Sequence, residues 1–534
     1  MSSLLCTGED GRDSGKGSDA GRLLLGVRAA ACRECLCSNE GDPVVHRESV
    51  TRTSHCYKQS RNAKTALQEV GGGHSTEDGK GSTTLAEGRS PALAGAYSDE
   101  EGPVTAGGKS LLAQRTRKSV QVLQNTLHRA AKKDPGRRFG ILYDKVCRWE
   151  VLWTSWIRVR KNKGAPGVDG RTIVAIKEEG ETKFIREIQQ ELLEKRYKPR
   201  LIRRVFIEKE NGKLRPLGIP TVKDRIVQGA VRLVLEPIFE ANFMEESYGF
   251  RPKRDCQQAL RSIRKWVTYG YSSVIDADIA SYFDTINHDV LIDLVKRRVT
   301  DKWILRLIRR WLRCGIFEQD KVKLMEKGTP QGGVLSPLLA NIYLHPLDKY
   351  WAQRYPETKL VRYCDDFVVL IRRRGPEPYL QDLRRFIAKL KIELSEEKTR
   401  VVRAEEGFDF LGARLILKPT RRDRSRQFCY GFPSSKSMKR VRMKIRIEIG
   451  RDFRKSLEEK IRRLNPIVRG WANYFNWLNS GEHFHKIERY LIQSLNRWNR
   501  RKRGGMKRSY RRLTGKDFQE KGLYPLHGII VHLS

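Results

Sequence analysis

Two groups of carboxylates carry the chemistry this chain could perform. The first is Asp365-Asp366, set between Leu360-Val361-Arg362-Tyr363-Cys364 and Phe367-Val368-Val369-Leu370. Apolar, β-prone residues on both sides of an acidic doublet predict a tight hairpin with both aspartates at its tip. On a regular strand neighbouring side chains point to opposite faces, and only at a turn can such a doublet serve one ligand. Taken alone, the doublet reads as a solvated turn, since aspartate is a common turn residue. The second group is Asp276 and Asp278 in the run Val274–Asp284, two residues apart and so on one face of a strand. Burying an acidic strand beside an acidic hairpin is costly unless a metal or base neutralises it. Two hard cations about 3.5–4 Å apart, held by such carboxylates, form the arrangement that transfers phosphoryl groups. Oxygen ligands and substrate phosphates suit Mg²⁺.

Several elements must position these groups. Helical spacing of Leu123, Leu127, Ile141, Leu142, Val146, Trp149, Leu152, Trp153 and Trp156 predicts two or three basic helices between Leu111 and Arg160. Further helices are expected over Phe184–Tyr197, 222–240 and Asp255–Trp266. Val205–Ile207 and Leu214–Ile219 read as a hairpin around Asn211-Gly212, flanked by Lys209, Lys213 and Arg215. After the acidic strand, helices at about 289–297 and 301–313 lead to Gly328-Thr329-Pro330-Gln331-Gly332-Gly333. Its paired glycines leave room for a ligand or another backbone, and Gln331 can both donate and accept there. A helix over Leu338–Leu347, an amphipathic segment Tyr379–Leu390 and strands near Arg400–Val402 and Phe408–Leu417 complete the expected frame.

The 534 residues carry a net charge of +43, which points to a polyanionic partner. Residues 1–105 hold 12 basic and 15 acidic residues, whereas the remainder holds 94 and 48, so all of the excess lies after residue 105. Residues 1–105 are rich in Gly, Ser and Thr and read as a disordered extension. Gly108-Lys109-Ser110 is no phosphate-binding loop, because Pro103 stands where that pattern needs its first glycine. Cys32, Cys35, Cys37 and Cys56 lack a second paired-cysteine knuckle, so a zinc site is not expected. Unpaired Cys147, Cys256, Cys314, Cys364 and Cys429 suit a reducing interior. No apolar run approaches the roughly 20 residues of a membrane span. Residues 430–534 hold 26 basic and 8 acidic residues, interleaved with Trp471, Tyr474, Phe475, Trp477, Trp498 and Tyr510. Most of these rings read as core, and a few stacked on bases would suit RNA.

From about residue 140 to about 515 the chain resembles group II intron-encoded reverse transcriptases, or maturases. The blocks run in order: Lys163–Gly170, Arg215–Pro220, Tyr248–Pro252, Asp278–Phe283, Thr329–Pro337, Tyr363–Asp366, Leu394–Thr399 and Phe410-Leu411-Gly412. Asn465–Phe475 resembles the thumb, or maturase domain. The resemblance implies an α+β right-hand polymerase: fingers and palm over 106–430, an α-helical thumb over 431–490 and a basic DNA-binding-like tail over 491–534. It makes Asp278, Asp365 and Asp366 the catalytic, metal-binding triad for two Mg²⁺ ions, with the Ile279 backbone carbonyl as a further ligand. Lys209, Arg215, Phe283 and Gln331 become nucleotide contacts, Phe283 as the residue that excludes a 2′-hydroxyl; Lys398 is a weaker candidate. Implied partners are the intron RNA, an RNA template with its DNA primer, target DNA and dNTPs, in a bacterial cytoplasm. Two departures stand out: Cys364 where the family commonly has alanine, and no paired cysteines and histidines of an appended endonuclease domain. A domesticated polymerase of repair or defence, and a splicing factor with a dead palm, are the competing readings; the intact triad argues against the second.

Overall fold

Because apolar residues recur every three or four positions, the first stretch folds as helices Ala106–Lys133, Tyr143–Val146, Trp149–Lys161, Ile173–Glu179 and Glu181–Leu193. The structure, a computed structural model, describes residues 106–208, 212, 214–503 and 512–530. Residues 1–105, Lys209, Asn211, Lys213, Tyr510 and the expectations attached to them lie outside that set.

Strands β1 (Ile202–Glu208) and β2 (Leu214–Ile219) pair antiparallel, as expected, from Arg203↔Ile219 to Glu208↔Leu214. Helices Val222–Glu240 and Cys256–Thr268 lead to β3 (Ser273–Asp278). The acidic run therefore stops being a strand at Asp278, earlier than its apolar pattern suggested. Ser281 takes φ 45°, and Tyr282–Thr285 forms one helical turn. Helices His288–Lys296 and Lys302–Leu312 follow, then a short hairpin, β4 (Ile316–Glu318) and β5 (Lys321–Lys323), that the sequence did not signal. β4 joins β1 in parallel, giving the sheet order β2-β1-β4-β5.

After helix Ser336–Arg354 come β6 (Lys359–Tyr363), β7 (Asp366–Ile371), helix Glu377–Lys389 and β8 (Arg400–Arg403). These strands and β3 form one antiparallel sheet in the order β6-β7-β3-β8. Both faces of this sheet are covered, which explains its near-continuous apolar strands. Ile275, Ala277, Phe367, Val369 and Ile371 pack into one core with the N-terminal helices, whereas Val274, Val368 and Leu370 pack into a second core. That second core lies against helix Cys256–Thr268 and the sheet of β9 (Phe408–Phe410), β10 (Ala413–Pro419) and β11 (Gln427–Pro433). Phe408–Leu417 is thus two strands split by Leu411-Gly412, both at positive φ.

Helices Ser435–Ile449, Leu457–Phe475 and Gly481–Lys502 form the C-terminal layer. Phe475, Trp477 and Trp498 are buried there, and Trp471 and Tyr474 are half-buried against them, so these rings are core. Buried Lys460 donates to the carbonyls of Glu448 and Ile449, the last carbonyls of the preceding helix.

Candidate active site

The hairpin tip is built by register. Tyr363 pairs with Asp366, so the connecting loop is the two residues Cys364-Asp365, and Asp366 is the first residue of β7. The doublet is therefore divided between turn and strand, not held together at the tip. Of the two loop residues, Cys364 alone has positive φ, at 61°. That is the pattern of a type II′ turn, whose first central position usually takes glycine. A side chain there costs about 1–3 kcal/mol, which surrounding contacts must offset.

Strand β3 brings the third carboxylate. Asp278 is the cross-strand partner of Asp366 in the β3–β7 pair. Alternation puts Asp276 and Asp278 on the same face as Asp366, the face whose far end is sealed by Val274, Val368 and Leu370. Asp276 sits one pleat further in and pairs with Arg400 at 3.2 Å. Asp278 receives the Lys398 ammonium. Asp366 is open to solvent on one side, yet its carboxyl is pushed up to about 7. Protein packed around it is the first cause, and the carboxylates of Asp365 and Asp278 add to it.

The Ile279 carbonyl has a defined direction. Ile279 bridges Leu394, and the hydrogen bonds of that bridge use the Asp278 carbonyl (from Ser395 N–H, 2.8 Å) and the Ala280 N–H (to Glu393, 2.9 Å). The Ile279 carbonyl therefore points away from Leu394, toward the hairpin side.

A second group lies on the Thr329–Pro337 loop. Arg215 Nε donates to Gln331 Oε1 at 2.9 Å, and Gln331 Nε2 donates to Asp284 Oδ2 at 3.2 Å. Asp284 follows Phe283, whose carbonyl accepts from Thr329 N–H at 2.6 Å. Three of the expected nucleotide contacts, Arg215, Phe283 and Gln331, are thus linked; Lys209 lies outside the described residues. The loop is also tied to β2, since Gly218 N–H donates to the Gln331 carbonyl at 2.7 Å. Gly332, at φ 115°, lies so close to the Gly218 carbonyl that a Cβ would overlap it. Gln228, buried in helix Val222–Glu240, accepts from Val334 N–H at 3.0 Å; sequence reasoning passed over it.

Two family patterns match this chain. Residues 207–415 match the reverse transcriptase (RNA-dependent DNA polymerase) family, and residues 438–515 match the group II intron, maturase-specific domain. Protein YkfC of Escherichia coli (strain K12) is 34% identical over 346 residues, covering 57% of this chain and 90% of that protein. The chain belongs to the group II intron reverse transcriptases and maturases. Group II intron-encoded protein LtrA of Lactococcus lactis subsp. cremoris is 33% identical over 341 residues, 51% of this chain and 56% of LtrA. Nuclear intron maturase 1, mitochondrial, of Arabidopsis thaliana is 28% identical over 202 residues, 28% of each chain. The chain thus spans nearly all of one of these relatives and about half or less of the others.

Reverse transcriptases use divalent metal ions, and the donor set here fits them. Asp278, Asp365 and Asp366 are hard oxygen donors at one end of one sheet, with the Asp365 and Asp278 carboxylates adding to burial in raising the Asp366 carboxyl. Among the described residues no group of three His, Cys, Asp or Glu side chains is arranged around one point, and the Lys398 ammonium sits on Asp278.

The sequence reading also missed what underlies the tip. Arg362, a lone charge in an apolar strand, is fully buried on Asp348, Asn341 and the Cys364 carbonyl. A charged residue between buried neighbours must find a partner, which is the signal that would have found it. Gly249, in the segment beside β6, lies so close to the tip that a Cβ would overlap the Cys364 amide nitrogen.

Proposed function

We propose that this reverse transcriptase copies RNA into DNA at Asp278, Asp365 and Asp366, which together with the Ile279 carbonyl hold two Mg²⁺ ions. The observation that carries the reading is the cross-strand apposition of Asp278 and Asp366, with Asp365 on the adjoining turn. Bound there, the ions would lower the pKa of the primer 3′-hydroxyl and neutralise charge developing on the triphosphate. The chain's own residues supply positioning. Arg215 meets triphosphate oxygens, Gln331 lies beside the incoming dNTP, Lys209 extends that contact, and Phe283 packs under the deoxyribose. Catalysis is then mostly orientation and electrostatics.

In the same reading the basic helices and the maturase-specific region bind the group II intron RNA that encodes the protein, assisting splicing and, with target DNA, mobility. The net charge of +43 and the match over residues 438–515 support it. A bacterial cytoplasmic setting belongs to this reading, and YkfC and LtrA are bacterial proteins. Among the described residues no helix is long and apolar enough to cross a membrane.

Primer extension on an RNA template tests the assignment. Asp278→Ala should abolish synthesis while leaving RNA affinity nearly intact. Synthesis that survives in that variant refutes the triad.

A further inference from the structure

Arg362 ties the hairpin tip to the helix that begins at the nucleotide loop. Its Nε donates to Asp348 Oδ1 at 2.7 Å and its Nη2 to Asp348 Oδ2 at 2.5 Å. Nη1 donates to Asn341 Oδ1 and to the Cys364 carbonyl, each at 3.0 Å. Asp348 and Asn341 both stand on helix Ser336–Arg354. The first residue of that helix, Ser336, bonds the Pro330 carbonyl at 2.9 Å, directly before Gln331. Asn341 Nδ2 in turn donates to the Gly249 carbonyl at 2.8 Å, the glycine pressed against the tip.

A buried ion pair alone is weak evidence of anything beyond structure, because apolar residues of similar volume often replace one without loss. The bond to Cys364 is a different matter. It holds the carbonyl of the one tip residue at positive φ, immediately before Asp365. The β6–β7 ladder ends at the Tyr363↔Asp366 pair, so the two turn residues themselves lie beyond it. Arg362 supplies a donor at the carbonyl, and Gly249 supplies a wall at the amide.

We propose that Arg362 is a positioning residue for polymerisation, setting the Cys364-Asp365 turn relative to the loop that carries Gln331. This rests on the proposed triad. The guanidinium meets neither primer nor nucleotide and acts through the Cys364 carbonyl and Asn341. Misplacement of a reacting group by about 1 Å costs on the order of 100-fold in rate, which sets the expected effect.

Two variants of the full chain test it. Arg362→Met with Asp348→Leu removes both charges together, leaving no orphan ion and no donor for Cys364. Arg362→Lys keeps a charge against Asp348 but has one donor group where Asp348, Asn341 and Cys364 need several. Melting temperature, RNA–primer affinity, kcat and the Mg²⁺ concentration for half-maximal extension are measured for each. In whichever variant melts with the parent, kcat should fall about 100-fold and the Mg²⁺ requirement rise, with RNA–primer affinity unchanged. Parental kcat in such a variant overturns the proposal and leaves Arg362 a purely structural residue. Asp278→Ala, run alongside, separates the two claims. If it still extends primers, the triad itself is wrong; if it is dead while the double variant is active, the Arg362 assignment alone fails.

Discussion

Lys398 reaches from the loop before β8 to place its ammonium on the Asp278 carboxylate. The lysine is mostly exposed and the aspartate mostly buried, so the contact is a solvent-screened cation at the mouth of an acidic site. It occupies an oxygen that the proposed metal would need. Lys398→Met should therefore lower the Mg²⁺ concentration for half-maximal extension, by about threefold given the screening. A higher or unchanged requirement, measured by magnesium titration of primer extension, would mean that Lys398 assists the metal instead of competing with it.

Asp366 predicts a pH dependence in the metal-free protein. Its carboxyl titrates near 7 in the folded chain and near 4 in the unfolded one. Between those values the folded state binds more protons. The stability contributed by this group is therefore present at low pH and lost as pH rises toward 7, then level above it. Denaturant unfolding in chelator, followed from pH 5 to 8, should show that decline, and Asp366→Asn should remove its share. If the decline is identical in the variant, Asp366 is not its source.

Gly249→Ala places a methyl group on the backbone of the tip. The atoms it would meet belong to Tyr363 and Cys364, which are main chain and cannot swing aside. Overpacking of this kind costs about 1–3 kcal/mol, and here the displaced atoms adjoin Asp365. Melting temperature should drop, with kcat falling further than that loss explains. Parental kcat would show that the turn tolerates the shift.

Arg215 and Gln331 share a hydrogen bond and so should not act independently. Arg215→Ala and Gln331→Ala are each expected to raise the KM for dNTP about tenfold. The double variant should raise it by less than the product of the two. Strict multiplication would indicate that the bond between them has no role once nucleotide is bound.

Local chemistry alone determined a good deal about this protein. Apolar periodicity marked most helices of the first half, and the acidic doublet and the Asp276/Asp278 pair marked both strands of the site. Ordered short blocks disclosed the family. Tertiary structure decided the rest, because it depended on pairing between distant segments. Which carboxylate faces which is a matter of register: Asp278 meets Asp366, while Asp276, identical in type and two residues away, is taken by Arg400. The division of the doublet between a turn and a strand follows from the Tyr363↔Asp366 pair. Arg362, Asp348 and Asn341 lie in none of those blocks, and the part they and Gly249 play in holding the tip arises from burial and contact across as many as 115 positions, as between Gly249 and Cys364. A sequence states which groups are available; only packing fixes which of them are left without water and must satisfy one another.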